Sequence, residues 1–572
     1  MKPATRLLVL GSVFAAAACA STTPDPTPSP ESGPSRASSS DAEAAITAAD
    51  LQTHLATFAH DSMMGRESGT LGNVKGTDYL AAQLARLGLE PAGEDGTYFQ
   101  TIPLVQRKLD PASSIAVDGH DLILGTDYLP VPPLGGFLPF GASGSLDGVQ
   151  VIYAGRASDP PQLTPEQVEG KLVLLGAPLG PDGQTSFQAW NRGVIRAYAS
   201  AAGIAVALLD VLPPQFVNFM RRPREVLAGG ELPQGPLGMF VTGETADILA
   251  GGPLDEAEVG APGVTIHGTY RFVEAPAPYP ARNVIAVVRG SDPQLNGEYV
   301  AIGSHSDHVG LSSRVEDHDS LWAFNHVVRP QGAESQQRPS TAEEDARIEA
   351  IRDSLAALRP ARLDSVYNGA DDDGSGSVAM LEIAQAFVET TPKPKRSILF
   401  VWHTAEEKGL FGARYFTDNP TVPRDSIVAS INIDMIGRGS VGDIEGGGPG
   451  YLQIIGSRRL STELGDLVET VNAERGFALE FDYQFDADGH PDNYYCRSDH
   501  YMYARYGIPI VFFSTGSHQD YHMLTDEAQY IDYDKMARVS QFVFELAGTI
   551  ANLDHRPLVD KPKPDPNAPC RQ

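Results

Sequence analysis

Apolar positions at Leu51, Leu55 and Phe58 fall four and three apart, and Leu80, Leu84 and Leu87 repeat a similar spacing. Residues at that interval share one helical face, which predicts a helix over about 46–58 and a second that Gly88 and Pro91 stop. The period then changes. Between about 116 and 277, short apolar runs at 149–153, 172–175, 204–209 and 238–241 are separated by Gly and Pro clusters. That punctuation predicts a small β-rich unit inserted into the chain. From 283 onward, strand-like runs at 284–288, 299–302, 397–402, 430–433 and 508–513 alternate with helix-period stretches. One of these, 377–388, puts Val378, Leu381, Ala384 and Val388 on one face. The alternation predicts an α/β fold with a mainly parallel mixed sheet flanked by helices. A polar insert over about 312–365 interrupts it, and its 341–358 portion reads as an exposed helix.

At 572 residues the chain exceeds one ordinary domain. The pattern divides it into a signal at 1–19, a tether at 20–45 and an N-terminal part of the main domain at 46–115. The inserted unit at 116–277, the rest of the main domain at 278–555 and a loose Pro- and Lys-rich tail at 556–572 follow. A net charge of −30 argues against a nucleic-acid partner, because phosphates would be repelled rather than neutralised.

The start of the chain departs from this soluble composition. Lys2 and Arg6 precede an apolar run over 7–18 that ends in small residues before Cys19. A charged start, a short apolar core and a small-residue site read as a secretory signal, and the run is too short to span a bilayer. Ala16-Ala17-Ala18-Cys19 resembles a bacterial lipobox, with Ala where Leu is usual; ordinary signal cleavage is the alternative. The Ser-, Thr- and Pro-rich stretch behind it cannot bury apolar surface and suits a tether. The expectation is an exported protein, held on a membrane by lipidated Cys19; Ala20 favours the outer membrane, so the expected location is outer membrane or periplasm. Cys496 and Cys570 are able to pair in an oxidising compartment. No CxxC spacing occurs, so a metal site has to be built from His and carboxylates.

Five clusters supply such groups, each at a strand end or a helix start, where sites assemble in open α/β sheets. His305 and Asp307 follow the run at 299–302. Asp371, Asp372 and Asp373 sit side by side in GADDDGSG before the 377–388 helix, and Glu406 and Glu407 follow 397–402 in AEEKG. Asp434 ends a strand in NIDMIG, and His522 closes DYH. Each alone also fits a solvated loop.

Their order resembles the co-catalytic zinc aminopeptidases of peptidase family M28, whose motifs run HxD, GAxDxxSG, AEExGxxGS, NxDMxG and a final YH. GRESGTLGN and GLEPAGEDGTYFQ are similar to the family's opening segment. Ala413 replaces the usual Ser, and the insert after His308 is unusually long. The resemblance implies a zinc exopeptidase fold, with a protease-associated unit inserted at 116–277. It implies His305 and Asp434 on one metal, Glu407 and His522 on the other, and Asp372 between them. Glu406 would be the general base and Asp307 would orient His305. A cis peptide is implied at Asp372–Asp373, and substrate contacts at Tyr495, Arg497 and Tyr521. His308, His403, His500 and His518 are assigned supporting roles.

Two His and three carboxylates suit two zinc ions, with manganese or cobalt as alternatives. The expected activity is removal of N-terminal residues from peptides through a metal-activated water. The competing readings are a carboxypeptidase, an aminoacyl cyclase, or a non-catalytic binding protein. All five ligands and the base are present, which disfavours the last.

Overall fold

The structure, a computed structural model, describes residues 46–572 apart from 134–139, 192, 231, 330–334 and 336–337. The expected signal, Cys19 and the expected tether lie outside the described residues.

A nine-stranded mixed sheet carries the main domain. Its strands are β1 (Glu90–Pro91), β2 (Phe99–Ile102), β3 (Ala281–Val288), β4 (Tyr299–His305), β5 (Ser397–His403), β6 (Ile427–Ile433), β7 (Tyr451–Ile455), β8 (Glu480–Asp482) and β9 (Ile510–Ser514). The centre, β5-β4-β6-β9, is parallel throughout, and β3 and β7 flank it antiparallel. Four parallel strands bring four C-terminal ends to one edge of the sheet. The pleat explains why their sequences read as unbroken apolar runs. Along β5, Ile398, Phe400 and Trp402 enter one core, while Leu399 and Val401 enter the other. Both faces are covered, so alternation disappears. Each fully buried side chain of this kind contributes roughly 1.5–3 kcal/mol, and Phe400→Ala should cost about 3–5 kcal/mol.

Helices α1 (Ala48–Phe58), α2 (Leu71–Leu87), α5 (Gly376–Glu389) and α6 (Tyr533–Ala551) cover the first face. Leu51, Leu55 and Phe58 are the buried stripe of α1, and the Thr47 hydroxyl caps it by accepting the Asp50 N–H. Gly88, at φ 72°, ends α2 in the left-handed conformation that glycine adopts without strain.

A second sheet, of eleven strands, is built from the chain between Leu104 and Pro276. It starts earlier than the apolar runs suggest, because Leu104–Leu109 pairs along the fifteen-residue strand Pro262–Pro276. The polar insert contains more structure than its sequence shows. A two-stranded ribbon, Leu311–Asp317 with Leu363–Val366, encloses helices α3 (His318–Val328) and α4 (Ala342–Leu358). α4 starts at a Thr341–Glu344 capping box and α3 at Asp317, whose side chain accepts the Asp319 N–H.

The C-terminal tail is not loose. Cys570 is disulfide-bonded to Cys496, with Cα atoms 5.8 Å apart. The Gln572 side chain also accepts the Tyr495 N–H at 3.0 Å. A covalent link and these hydrogen bonds outweigh what the tail's composition suggests.

Candidate metal centre

His305 is the last residue of β4. Asp434 follows β6, and Glu406 and Glu407 follow β5. The remaining carboxylate, Asp372, comes from the turn ahead of α5, where a cis peptide joins it to Asp373. Two glycines make that turn possible. A Cβ on Gly376 would lie 2.4 Å from Asp373 Oδ1 and from the Ile433 carbonyl; one on Gly369, at φ 53°, would lie 2.3 Å from the Asp372 carbonyl. No larger residue fits either place.

The two oxygens of Asp372 face different groups. His305 Nε2 lies 3.1 Å from Oδ1, and the same nitrogen is 3.6 Å from Asp434 Oδ1. On the other side, His522 Nε2 lies 3.0 Å from Asp372 Oδ2 and 3.0 Å from Glu407 Oε2. All five sequence-derived ligands therefore meet, in two groups that share Asp372.

Among the described residues, none of these carboxylates has a Lys or Arg ion-pair partner; their charged partners are imidazoles. Converging buried carboxylates repel one another unless cations or protons intervene. The electrostatics follow from this. Burial lowers the His522 pKa, but Glu407 and Asp372 raise it further, to about 11. Burial and Asp372 push the Glu407 carboxyl up, yet His522 and His308 pull it down to about 2. Protons and metal ions thus compete for the same nitrogens. The donor set of imidazole and carboxylate fits zinc or a similar divalent ion.

Glu406 differs from its neighbour. Burial raises its carboxyl well above the usual range; His305 opposes this, and Asp499, Glu407 and Asp434 reinforce it. It lines the same cleft as His305, Asp372, Asp434 and His522, where a base would have to stand.

Three expectations change in detail. Asp307 meets His305 Nδ1 through its main-chain carbonyl, at 3.1 Å, and not through its carboxylate, which is 3.8 Å away. That carboxylate instead accepts the Glu406 N–H at 3.1 Å. Arg497 and Tyr521 line the cleft, but Tyr495 does not; its neighbour Tyr494 does. The segment is a 3₁₀ turn, so adjacent side chains diverge, and Tyr495 packs under Arg459 and beside Tyr501. His308 touches the cluster directly, with Nδ1 2.8 Å from Glu407 Oε1. His403, His500 and His518 stand behind the site: His403 bridges Asp499 and Tyr503, His500 stacks on Phe512, and His518 pairs with Asp371.

The sequence did not single out the residues that hold the ligands. Asp373 accepts the N–H groups of His305, Gly376 and Met435 at 2.9–3.2 Å, tying three segments together. Arg66 is wholly buried and donates to the carbonyls of Phe58, Ser306, Asn368 and Gly369. Burial draws its pKa down to about 10, against Asp526, Asp372, Asp307 and Asp373, so it stays charged beside an acidic site. Asp526 accepts the N–H groups of Asp371 and Asp372, and Ser498 donates to Asp434 Oδ2 at 2.8 Å. Arg66 lies in the GRESGTLGN motif; the others carry no signal beyond adjacency to a ligand.

Residues 283–547 match the model of peptidase family M28, and the match spans all five ligands and Glu406. This stretch resembles family M28 domains. It is also similar to curated proteins. Leupeptin-inactivating enzyme 1 of Streptomyces exfoliatus is 31% identical over 170 residues, covering 29% of this chain and 34% of that protein. Leucine aminopeptidase 1 of Penicillium rubens is 26% identical over 216 residues, covering 34% and 51%. The chain spans between a third and a half of the length of these two relatives. Among solved structures, an aminopeptidase from Aneurinibacillus sp. strain AM-1 aligns over 92% of this chain and 99% of its own, at 15% identity and a TM-score of 0.48. BSAP, a zinc aminopeptidase from Bacillus subtilis, aligns over 88% and 94%, at 16% identity and a TM-score of 0.46.

Proposed function

We propose that the protein is a two-zinc aminopeptidase that removes residues from the N-termini of peptides. The observation that carries this reading is the division of labour at Asp372, whose two oxygens face two separate His–carboxylate groups. Two bound divalent ions would supply a water activated at neutral pH and positive charge opposite the oxygens of the transition state. His305, Asp434, Glu407, His522 and the shared Asp372 would hold them.

The protein's own groups account for the rest. The Glu406 carboxylate, made a stronger base by burial, takes a proton from the attacking water and delivers it to the leaving amine. The hydroxyl of Tyr521, kept protonated by burial and by Asp372 and Glu407, remains a donor in the cleft. A free peptide ammonium is drawn to a cleft lined by carboxylates, and that attraction aligns the first peptide bond. The family match and the aminopeptidases among the similar proteins support the reading. Among the described residues, Arg497 is the single arginine that lines the cleft, which gives a carboxypeptidase no support.

The chain's start supports export and a lipid anchor at Cys19, and the Cys496–Cys570 disulfide accords with an oxidising compartment. Cys19→Ala should move the protein from membrane to soluble fractions; a wild-type N-terminus without acyl groups would refute the anchor. For the activity, timed digests of a peptide library read by mass spectrometry are decisive. Free N-termini should be trimmed one residue at a time, N-acetylated copies should survive, and C-terminal amidation should change little. Cleavage of acetylated peptides, or trimming from the C-terminus, overturns the aminopeptidase reading.

A further inference from the structure

Three residues of the cleft wall, Tyr494, Arg497 and Ser498, stand on the stretch between β8 and β9, outside the sheet. Tyr494–Cys496 forms a single 3₁₀ turn, entered through Asn493 at φ 55°. The N–H groups of Cys496 and Arg497 bond back to the carbonyls of Asn493 and Tyr494, which fixes the turn's shape and not its direction. A lone turn is marginal in water unless something else holds it. Direction matters here, because Ser498 donates to Asp434 Oδ2 at 2.8 Å and accepts the Asn432 amide at 3.0 Å. The Tyr494 hydroxyl lies 2.8 Å from Ser517 Oγ, which lines the same cleft.

The hold comes from a distant segment. Cys496, the last residue of the turn, is cross-linked to Cys570, 74 residues further along the chain. Gln572 adds hydrogen bonds on both sides of the loop. Its Oε1 accepts the Tyr495 N–H at 3.0 Å, and its Nε2 donates to the carbonyls of Phe485 and Ala487. The segment is itself fastened on its way there. Asp560 Oδ1 accepts the Thr462 N–H at 2.9 Å, and the Lys561 N–H reaches the Leu460 carbonyl at 3.3 Å. All of this lies beyond residue 547, where the family match stops.

We propose that Cys570 and Gln572 are positioning residues for the reaction: they aim Ser498 at Asp434 and set Tyr494 and Arg497 as the wall that a peptide meets. The peptide side of this rests on the aminopeptidase reading; the Asp434 side rests on the metal centre alone. Asp434 divides its oxygens, with Oδ2 on Ser498 and Oδ1 3.6 Å from His305 Nε2. A hydrogen bond to one oxygen of a ligating carboxylate orients the other for its ion. Glu406 stands outside this chain of contacts, since its N–H is held by Asp307. Loosening the clip should therefore weaken substrate binding and one metal ion, and leave proton transfer nearly intact.

Two variants separate the cross-link from the hydrogen bonds. Cys496→Ser/Cys570→Ser removes the first and keeps Gln572, whereas Gln572→Ala does the reverse. Loss of a cross-link lowers the melting temperature by itself, so both are measured well below it. With a short peptide bearing a free N-terminus, KM should rise about fivefold in each, with kcat within about twofold of wild type. In competition with a chromogenic chelator, the zinc affinity of one ion should fall about threefold or more while that of the other stays as it was. Combining the changes should exceed either alone. The chelator measurement needs no turnover, so a protein that fails to trim peptides refutes the aminopeptidase reading and still tests this one. Zinc affinities that both match wild type, with only the melting temperature lowered, overturn the proposal. In a protein that does trim peptides, an unchanged KM overturns it as well.

Discussion

The two halves of the metal centre are built differently. His305 and Asp434 end or follow central parallel strands, are 2% and 8% exposed, and are braced by Asp373, the Asp307 carbonyl and Ser498. His522 sits on a loop at φ 56°, with a side chain 38% exposed and stacked on Tyr521. Its partner Glu407 is held by His308 from the start of the long insert. Residues at strand ends inherit the rigidity of the sheet, whereas a loop gives access and must borrow its order from neighbours. The His305 half should therefore hold its ion more tightly, and the His522 half should exchange first.

The largest expected effect leaves both halves intact. Glu406→Gln should lower kcat by roughly 10²–10⁴-fold with metal content unchanged, because a base is lost and a ligand is not. If metal is lost instead, the roles of Glu406 and Glu407 have been exchanged. His522→Ala should then halve the metal content, with the remaining ion resisting dialysis against a chelator. His305→Ala should remove more than half, because Asp372 loses its partner in the better-ordered group. Equal losses from the two variants would erase the distinction between the halves.

Asp373→Asn probes the bracing. One amide oxygen has to replace a carboxylate that accepts three N–H groups, so about 1–3 kcal/mol of stability should go, by thermal or urea unfolding. Metal affinity should fall mainly in the His305 half. The smallest effect lies on the other side. Arg438 pairs with Asp443 and with Asp520, two residues from His522. Burial raises the Asp443 carboxyl, but Arg438 outweighs it and holds the pKa at about 2. A depressed carboxyl contributes stability that is complete above its ordinary value and lost as pH falls toward the depressed one. Asp443 should thus contribute about 2 kcal/mol near neutrality, disappearing between roughly pH 4 and pH 2. Asp443→Asn should flatten that acid limb, as seen in urea midpoints.

Much of this was legible in the sequence. Apolar runs marked β3 to β6 and β9 because strands buried on both faces need them, and all five candidate ligands stand in motifs at the ends of elements. What escaped depends on contacts distant in sequence. The spacing of Trp322 and His326 on α3 gives no hint that the helix packs beside Tyr530. Tyr494 and Tyr495 are indistinguishable until a 3₁₀ turn separates them, and Asp307 acts on His305 through a carbonyl that every residue has. Asp373 reads as one more acid in a row of three until the backbone folds three N–H groups onto it.

The account rests on two ions shared through Asp372, and elemental analysis of purified, fully active protein tests this most directly. It should give two zinc or equivalent ions per chain, with activity falling as the first is withdrawn. Full activity with a single ion per chain would contradict it.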